Sequence, residues 1–267
     1  MNSNYRVCGA KLTSMPNLRR SIAAGLSLVA LGSLLFTVEA QATRQKRGNL
    51  TVFAAASLTD VLPRLSKAFQ VRNPGVKFTF SFAASSTLSQ QIVAGAPVDL
   101  FFAAGPAPMQ AIRSSGELDG TAQNFTSNSL VIAVPRSNPG KIQSLTDLAK
   151  PGVKFLLCAP QVPCGSAAAK VLALAKVTAS PVSLENDVRS VLSKVALGEA
   201  DAGLVYRTDV KNTVGAIEFP ESKSAINAYP LAVIKGSKSA IAAHAFMKFV
   251  LSPAGQAILH KAGFGKR

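Results

Sequence analysis

The sequence has no tryptophan, three tyrosines, three cysteines and two histidines, and only 13 of its 267 residues are acidic. Each shortage narrows what the chain does. The two histidines, His244 and His260, fall in the C-terminal helical stretch and leave no candidate for a Ser-His-Asp triad. Three cysteines in so long a chain do not make a disulfide-dense miniprotein. The scarcity of acid against 29 Lys and Arg gives a formal charge of +16, which invites a nucleic-acid reading. That reading needs basic residues clustered with aromatics. Here they are scattered singly, apart from residues 44–47, among few tyrosines. What is abundant is ordinary: 48% hydrophobic residues exclude intrinsic disorder, and the length allows one large domain or two small ones.

Only one long apolar run exists. Arg19 and Arg20 precede Ile22–Val38, and Ala40-Gln41-Ala42 supplies a small-x-small cleavage pattern, so residues 1–42 read as an export signal, beginning at Met1 or Met15. Cleavage after about Ala42 removes Arg6, Lys11, Arg19, Arg20 and Glu39, which lowers the net charge by three. Cys8 leaves as well. Cys158 and Cys164 remain, and an even pair in an exported chain reads as a disulfide, which also removes them as zinc ligands. Residues 43–48 read as a solvated basic tail.

Strands and helices then alternate. Leu50–Ala54, Lys77–Phe82 and Val98–Phe102 read as strands, with helices at Leu58–Phe69 and Leu88–Ala94. The rhythm returns with strands at Ser129–Val134, Val153–Leu157, Gly203–Tyr206 and Leu231–Ile234. Helices are expected at Ser166–Ala175, Val188–Leu197 and Ala240–Val250. Such alternation predicts parallel sheets with helices on both faces.

Two strand-to-helix turns stand out. Ala54-Ala55-Ala56-Ser57-Leu58-Thr59-Asp60 places Ser57 where an N-cap belongs, with Asp60 three residues on, close to a capping box. Phe82-Ala83-Ala84-Ser85-Ser86-Thr87 repeats the pattern of small residues and hydroxyls. Small residues let a ligand approach the backbone, and a helix N-terminus offers unpaired N–H donors and partial positive charge. On neighbouring parallel strands the two turns form an anion site in outline. Ordinary serine caps are the bland alternative. Asp60 and Asp187 read as helix-start residues. Ser57 as a hydrolytic nucleophile lacks the flanking glycines of a nucleophile elbow, and Tyr206 on its own reads as a core tyrosine with a satisfied hydroxyl.

These turns, together with Gly95-Ala96-Pro97-Val98-Asp99-Leu100-Phe101, resemble the periplasmic molybdate-binding proteins of ABC importers. The resemblance continues through Asn128-Ser129-Leu130-Val131, Val162-Pro163-Cys164-Gly165, Asp187-Val188-Arg189, Gly203-Leu204-Val205-Tyr206 and Ala262-Gly263-Phe264. It implies an α/β, two-lobed periplasmic-binding-protein fold, each lobe a mainly parallel sheet flanked by helices, with the ligand in the cleft between them. Lobe 1 is expected at 49–126 plus 227–267, and lobe 2 at 127–226. The matching ligand positions are Ser57 and Ser85 from lobe 1. Cys164 and Val188 follow through backbone N–H groups, and Tyr206 through its phenol. Cys164 departs from better-known relatives, which carry a small aliphatic residue there, although a backbone donor tolerates that exchange. The implied function is capture of molybdate, and of tungstate, for an ABC importer permease in the inner membrane. The chain is then a periplasmic monomer with no cofactor, no nucleic acid and no catalysis, and molybdenum enters only as the oxyanion on the same residues. Another oxyanion such as sulfate, or a secreted serine hydrolase using Ser57, are the competing readings.

Overall fold

The computed structural model describes residues 48–267; the export signal, Cys8 and residues 43–47 lie outside the described residues. Gly48, assigned above to the tail, instead opens the first strand, β1 (Gly48–Ala55). Two five-stranded sheets follow, each the centre of one lobe. In the first, β1 pairs in parallel with β2 (Val76–Ala83) and β3 (Leu100–Phe102), and β10 (Asn227–Ile234) runs antiparallel to both β3 and β4 (Leu118–Asn128). The second repeats the pairing pattern. β6 (Phe155–Cys158) is parallel to β7 (Ser183–Glu185) and β8 (Ala202–Tyr206), while β5 (Leu130–Val134) lies antiparallel between β8 and β9 (Gly215–Ile217). Each sheet is therefore mixed: its parallel part is the three strands whose C-terminal ends carry strand-to-helix turns.

The helices are α1 (Leu62–Gln70), α2 (Ser85–Val93), α3 (Pro106–Ser115), α4 (Pro163–Leu174), α5 (Val188–Ala196), α6 (Ala240–Leu251) and α7 (Pro253–Lys261). Pro63 sits in the first turn of α1, where its missing N–H is no loss. The lobe 1 core is aromatic: Phe69, Phe78, Phe102 and Phe246 meet largely edge to face, the last from the apolar side of α6. Beneath α5, lobe 2 is aliphatic, with Val191, Val195 and Leu204 fully buried. The chain leaves the first sheet after Asn128 and returns at Asn227, and these two residues are register partners. Among the described residues no helix is long and apolar enough to cross a membrane.

Candidate functional site

The parallel strands of both sheets deliver their following turns to one place, as expected of α/β sheets, whose ligands sit beyond the carboxyl ends of strands. Beyond β1 comes a 3₁₀ turn, Ala56–Leu58, and beyond β2 the start of α2. Beyond β6 and β7 come the starts of α4 and α5, and β8 ends at Tyr206. A small cavity of about 20 Å³ lies among them, and Ser57, Ser85, Cys164, Val188 and Tyr206 all line it, together with Asp187. The five residues singled out in the sequence are thus brought together, all of them buried.

Local geometry corrects part of the capping picture. Ser57 lies inside the 3₁₀ turn rather than at an N-cap, and α1 starts only at Leu62 with no side-chain cap. Ser85 is the first residue of α2, whose N-cap is Ala84. The hydroxyls are therefore not spent on helix ends. Ser57 Oγ meets Tyr229 Oη at 2.9 Å, and Ser85 Oγ accepts from the Ala104 N–H at 2.9 Å. An oxygen that already accepts keeps its own proton for a second partner. Tyr206 is placed the same way, its Oη accepting from Asn227 Nδ2 at 2.7 Å. Burial, reinforced by the charge of Asp209, pushes the Tyr206 phenol well above its usual range, so it stays a donor. Burial does the same for Tyr229.

Backbone donors complete the set. No protein group among the described residues accepts from the N–H of Cys164 or Val188, both in the first turn of a helix, where intrahelical partners do not exist. Cys164 is bridged to Cys158 at the end of β6, with their Cα atoms 5.7 Å apart. The neighbouring Gly165 packs so closely on the Ala159 carbonyl that a Cβ there would lie 2.0 Å from the oxygen. Bridge and close packing together fix the first turn of α4. Asp187 does start its helix as expected, its Oδ1 accepting from the N–H groups of Arg189 and Ser190 at 2.8 and 3.0 Å. One oxygen of its carboxylate is thereby engaged at the helix start. The arrangement offers neutral donors from hydroxyls and helix N-termini, which suits a small anion. Ser57 meets Tyr229, and the histidines are elsewhere: His244 pairs with Asp119 at 3.0 Å on the lobe 1 surface.

Asp60 is not a helix-start residue. Its carboxylate takes Arg189 Nη2 at 3.2 Å and Lys211 Nζ at 2.5 Å. Burial pushes its carboxyl up, but those two cations outweigh it and hold it below the ordinary value. Behind Arg189 lies Asp209, fully buried. Its Oδ2 accepts from the Tyr206 N–H at 3.2 Å, and its Oδ1 has no hydrogen-bond partner among the described residues, meeting only Arg189 Nη1 at 3.7 Å. Burial pushes this carboxyl up to about 7, against the pull of Arg189. A folded-state value above the ordinary 3.8 means that the folded protein binds the proton more tightly than the unfolded chain. This contribution is fully present below about pH 4 and lost as pH rises through about 7. Asp209→Asn, which can still accept from Tyr206, is expected to flatten that loss: its melting temperature should change less than that of the wild type between pH 5 and 8. Parallel curves would show that Asp209 does not titrate in this window.

Tyr229, Asn227, Ala104 and Asp209 escaped sequence reading. The first three act through partners that only folding brings near; Tyr229 stands 172 positions from Ser57. The scarcity of acids was the one usable signal, because a buried Asp in so basic a chain needs a stated partner.

Residues 50–265 match the family model described as bacterial extracellular solute-binding protein. The chain is 39% identical over 242 residues to a molybdate-binding protein ModA of Mycobacterium bovis, covering 90% of this chain and 93% of that one. It is 35% identical over 252 residues to a molybdate-binding protein ModA of Escherichia coli, covering 90% and 97%. The solved periplasmic molybdate-binding protein of Azotobacter vinelandii superposes with a TM-score of 0.69 at 23% identity, over 82% of this chain and 99% of that one, a likeness of fold.

Proposed function

The chain belongs to the bacterial extracellular solute-binding proteins, and we propose that it captures molybdate, and equally tungstate, in the periplasm and hands it to the permease of an ABC importer. The relatives named above carry the choice of oxyanion. The observation that carries the chemistry is a cavity that gathers uncharged donors, the hydroxyls of Ser57, Ser85 and Tyr206 and the acceptor-free amides of Cys164 and Val188, beside one carboxylate, Asp187, held at its helix start. Hydrogen bonds to a charged group contribute about 1.5–3 kcal/mol each, so five give a gross 8–15 kcal/mol, against about 12 for nanomolar binding. Water exclusion between the lobes strengthens each bond. A buried cation would add attraction at the cost of desolvation.

A set dominated by donors, with its one carboxylate, Asp187, engaged by the N–H groups of Arg189 and Ser190, also selects. Molybdate, tungstate and sulfate are fully deprotonated near neutral pH, whereas phosphate keeps a proton that needs an acceptor. Molybdate and tungstate are almost the same size and compete, while the smaller sulfate leaves donors stretched. The protein acts as a monomer without turnover, exported after cleavage near Ala42. Its closing lobes are residues 49–126 with 227–267 and residues 127–226. A calorimetric competition among the four oxyanions tests the reading. Molybdate and tungstate should displace one another at a single site, with sulfate roughly a hundredfold weaker and phosphate weaker still. Phosphate binding as tight as molybdate overturns it.

A further inference from the structure

We infer that Asp60, Arg189 and Lys211 form an inter-lobe latch whose task is to retain the bound anion, which makes them positioning residues; the inference rests on the anion-binding reading above. Asp60 lies between β1 and β2 of the first sheet, whereas Arg189 and Lys211 lie on connections within the second. One carboxylate oxygen, Asp60 Oδ2, takes both cations, at 3.2 and 2.5 Å. Every other salt bridge among the described residues joins groups of a single lobe: Lys150–Asp147, Arg189–Asp209, Lys194–Glu185 and Arg207–Glu218 in the second, His244–Asp119 in the first. The ionic contact across the cleft is thus concentrated on one carboxylate.

Its place in the chain matters as much as its chemistry. Asp60 follows Ser57 by three residues, and Arg189 follows Val188 directly, so the latch ties together the two segments that present donors from opposite lobes. None of the three residues lines the cavity, so they do not touch the anion there. Asp209 Oδ1 lies 3.7 Å from Arg189 Nη1, while Nη2 of the same guanidinium meets Asp60. Opening the cleft must separate Asp60 from both cations and hydrate all three groups. The ion pairs therefore exist only in the closed form and act on release rather than on capture. The side chains of Arg189, Asp60 and Lys211 are 31%, 36% and 47% exposed, enough for salt to screen the contact.

The test is stopped-flow release of molybdate from the exported chain, comparing wild type with Asp60→Asn, Asp60→Glu and Lys211→Gln at ionic strengths from about 20 to 500 mM. Asp60→Asn should raise the release rate roughly three- to tenfold, with the association rate unchanged or higher because a negative charge has left the cleft rim. Asp60→Glu should stay near the wild type, and Lys211→Gln should move in the direction of Asp60→Asn. Salt should speed release from the wild type and do so less in Asp60→Asn, a response that a merely structural role would not give. Wild-type release and salt profiles in Asp60→Asn and Lys211→Gln overturn the latch while leaving the anion reading intact. Failure of the wild type to bind molybdate overturns the anion reading, and the latch falls with it.

Discussion

Replacing Ser85 with Ala is expected to weaken oxyanion binding roughly 10- to 150-fold and also to lower the stability of the ligand-free protein by about 1–3 kcal/mol. Two different atoms produce the two losses. In the proposed site the Ser85 proton is a donor to the anion, and a hydrogen bond to a charged acceptor is among the stronger kinds. Its oxygen accepts from the Ala104 N–H at 2.9 Å, and both residues are buried, so alanine strands that amide with no water to replace the hydroxyl. Ser57→Ala should behave differently. The partner of Ser57 is the rotatable hydroxyl of Tyr229, so affinity falls with a smaller change in stability. Calorimetric titration paired with urea unfolding separates the two variants. Wild-type affinity in both would remove the serines from the site.

The second large effect comes from an amide, which ordinary side-chain replacement does not reach. Val188 is the first residue of α5, a position where proline is favoured because the N–H has no intrahelical partner. Asp187 before it is extended, with φ −157° and ψ 170°, the conformation that a following proline demands. Val188→Pro therefore deletes one donor of the proposed site while leaving the helix and most of the apolar volume in place. Binding should weaken by a similar factor of roughly 10–150, with the unfolding midpoint nearly unchanged. Retained affinity in a folded Val188→Pro protein would mean that this amide does not face the ligand.

What could be read in advance follows from how local each cause is. The strands β1, β2 and β8 and helices α2 and α5 announce themselves through apolar spacing, and the small-residue turns after β1 and β2 pointed to Ser57 and Ser85. β4 did not, because Leu118–Asn128 is largely polar and its N-terminal part is exposed; it is a strand through its pairing with β10. β7 and β9 are three residues each, too short to carry a period, and exist through their neighbours in the sheet. Ser57 was misread as a cap because capping depends on backbone angles that composition does not reveal. Asp60 was misread because its partners lie 129 and 151 positions further along the chain. Cys158 and Cys164 were legible as a pair from export and even number alone. The hydrogen bonds that aim the site's hydroxyls come from Ala104, Asn227 and Tyr229, which no local pattern marks.

The paired crossings at Asn128 and Asn227 bear on the entropy of binding. In the proposed closing of the lobes, these two adjacent strands joined in register act as one axis of rotation, and displacement grows with distance from it. Asn227 sits on that axis and donates to Tyr206 Oη, while Asn128 reaches Thr208 Oγ1 at 2.8 Å. The phenol is accordingly ordered when the chain folds, whatever the angle between the lobes. Under the proposed function an arriving anion then meets a donor already oriented, so the loss of rotamer freedom that a loose tyrosine would incur at the moment of contact has been met beforehand.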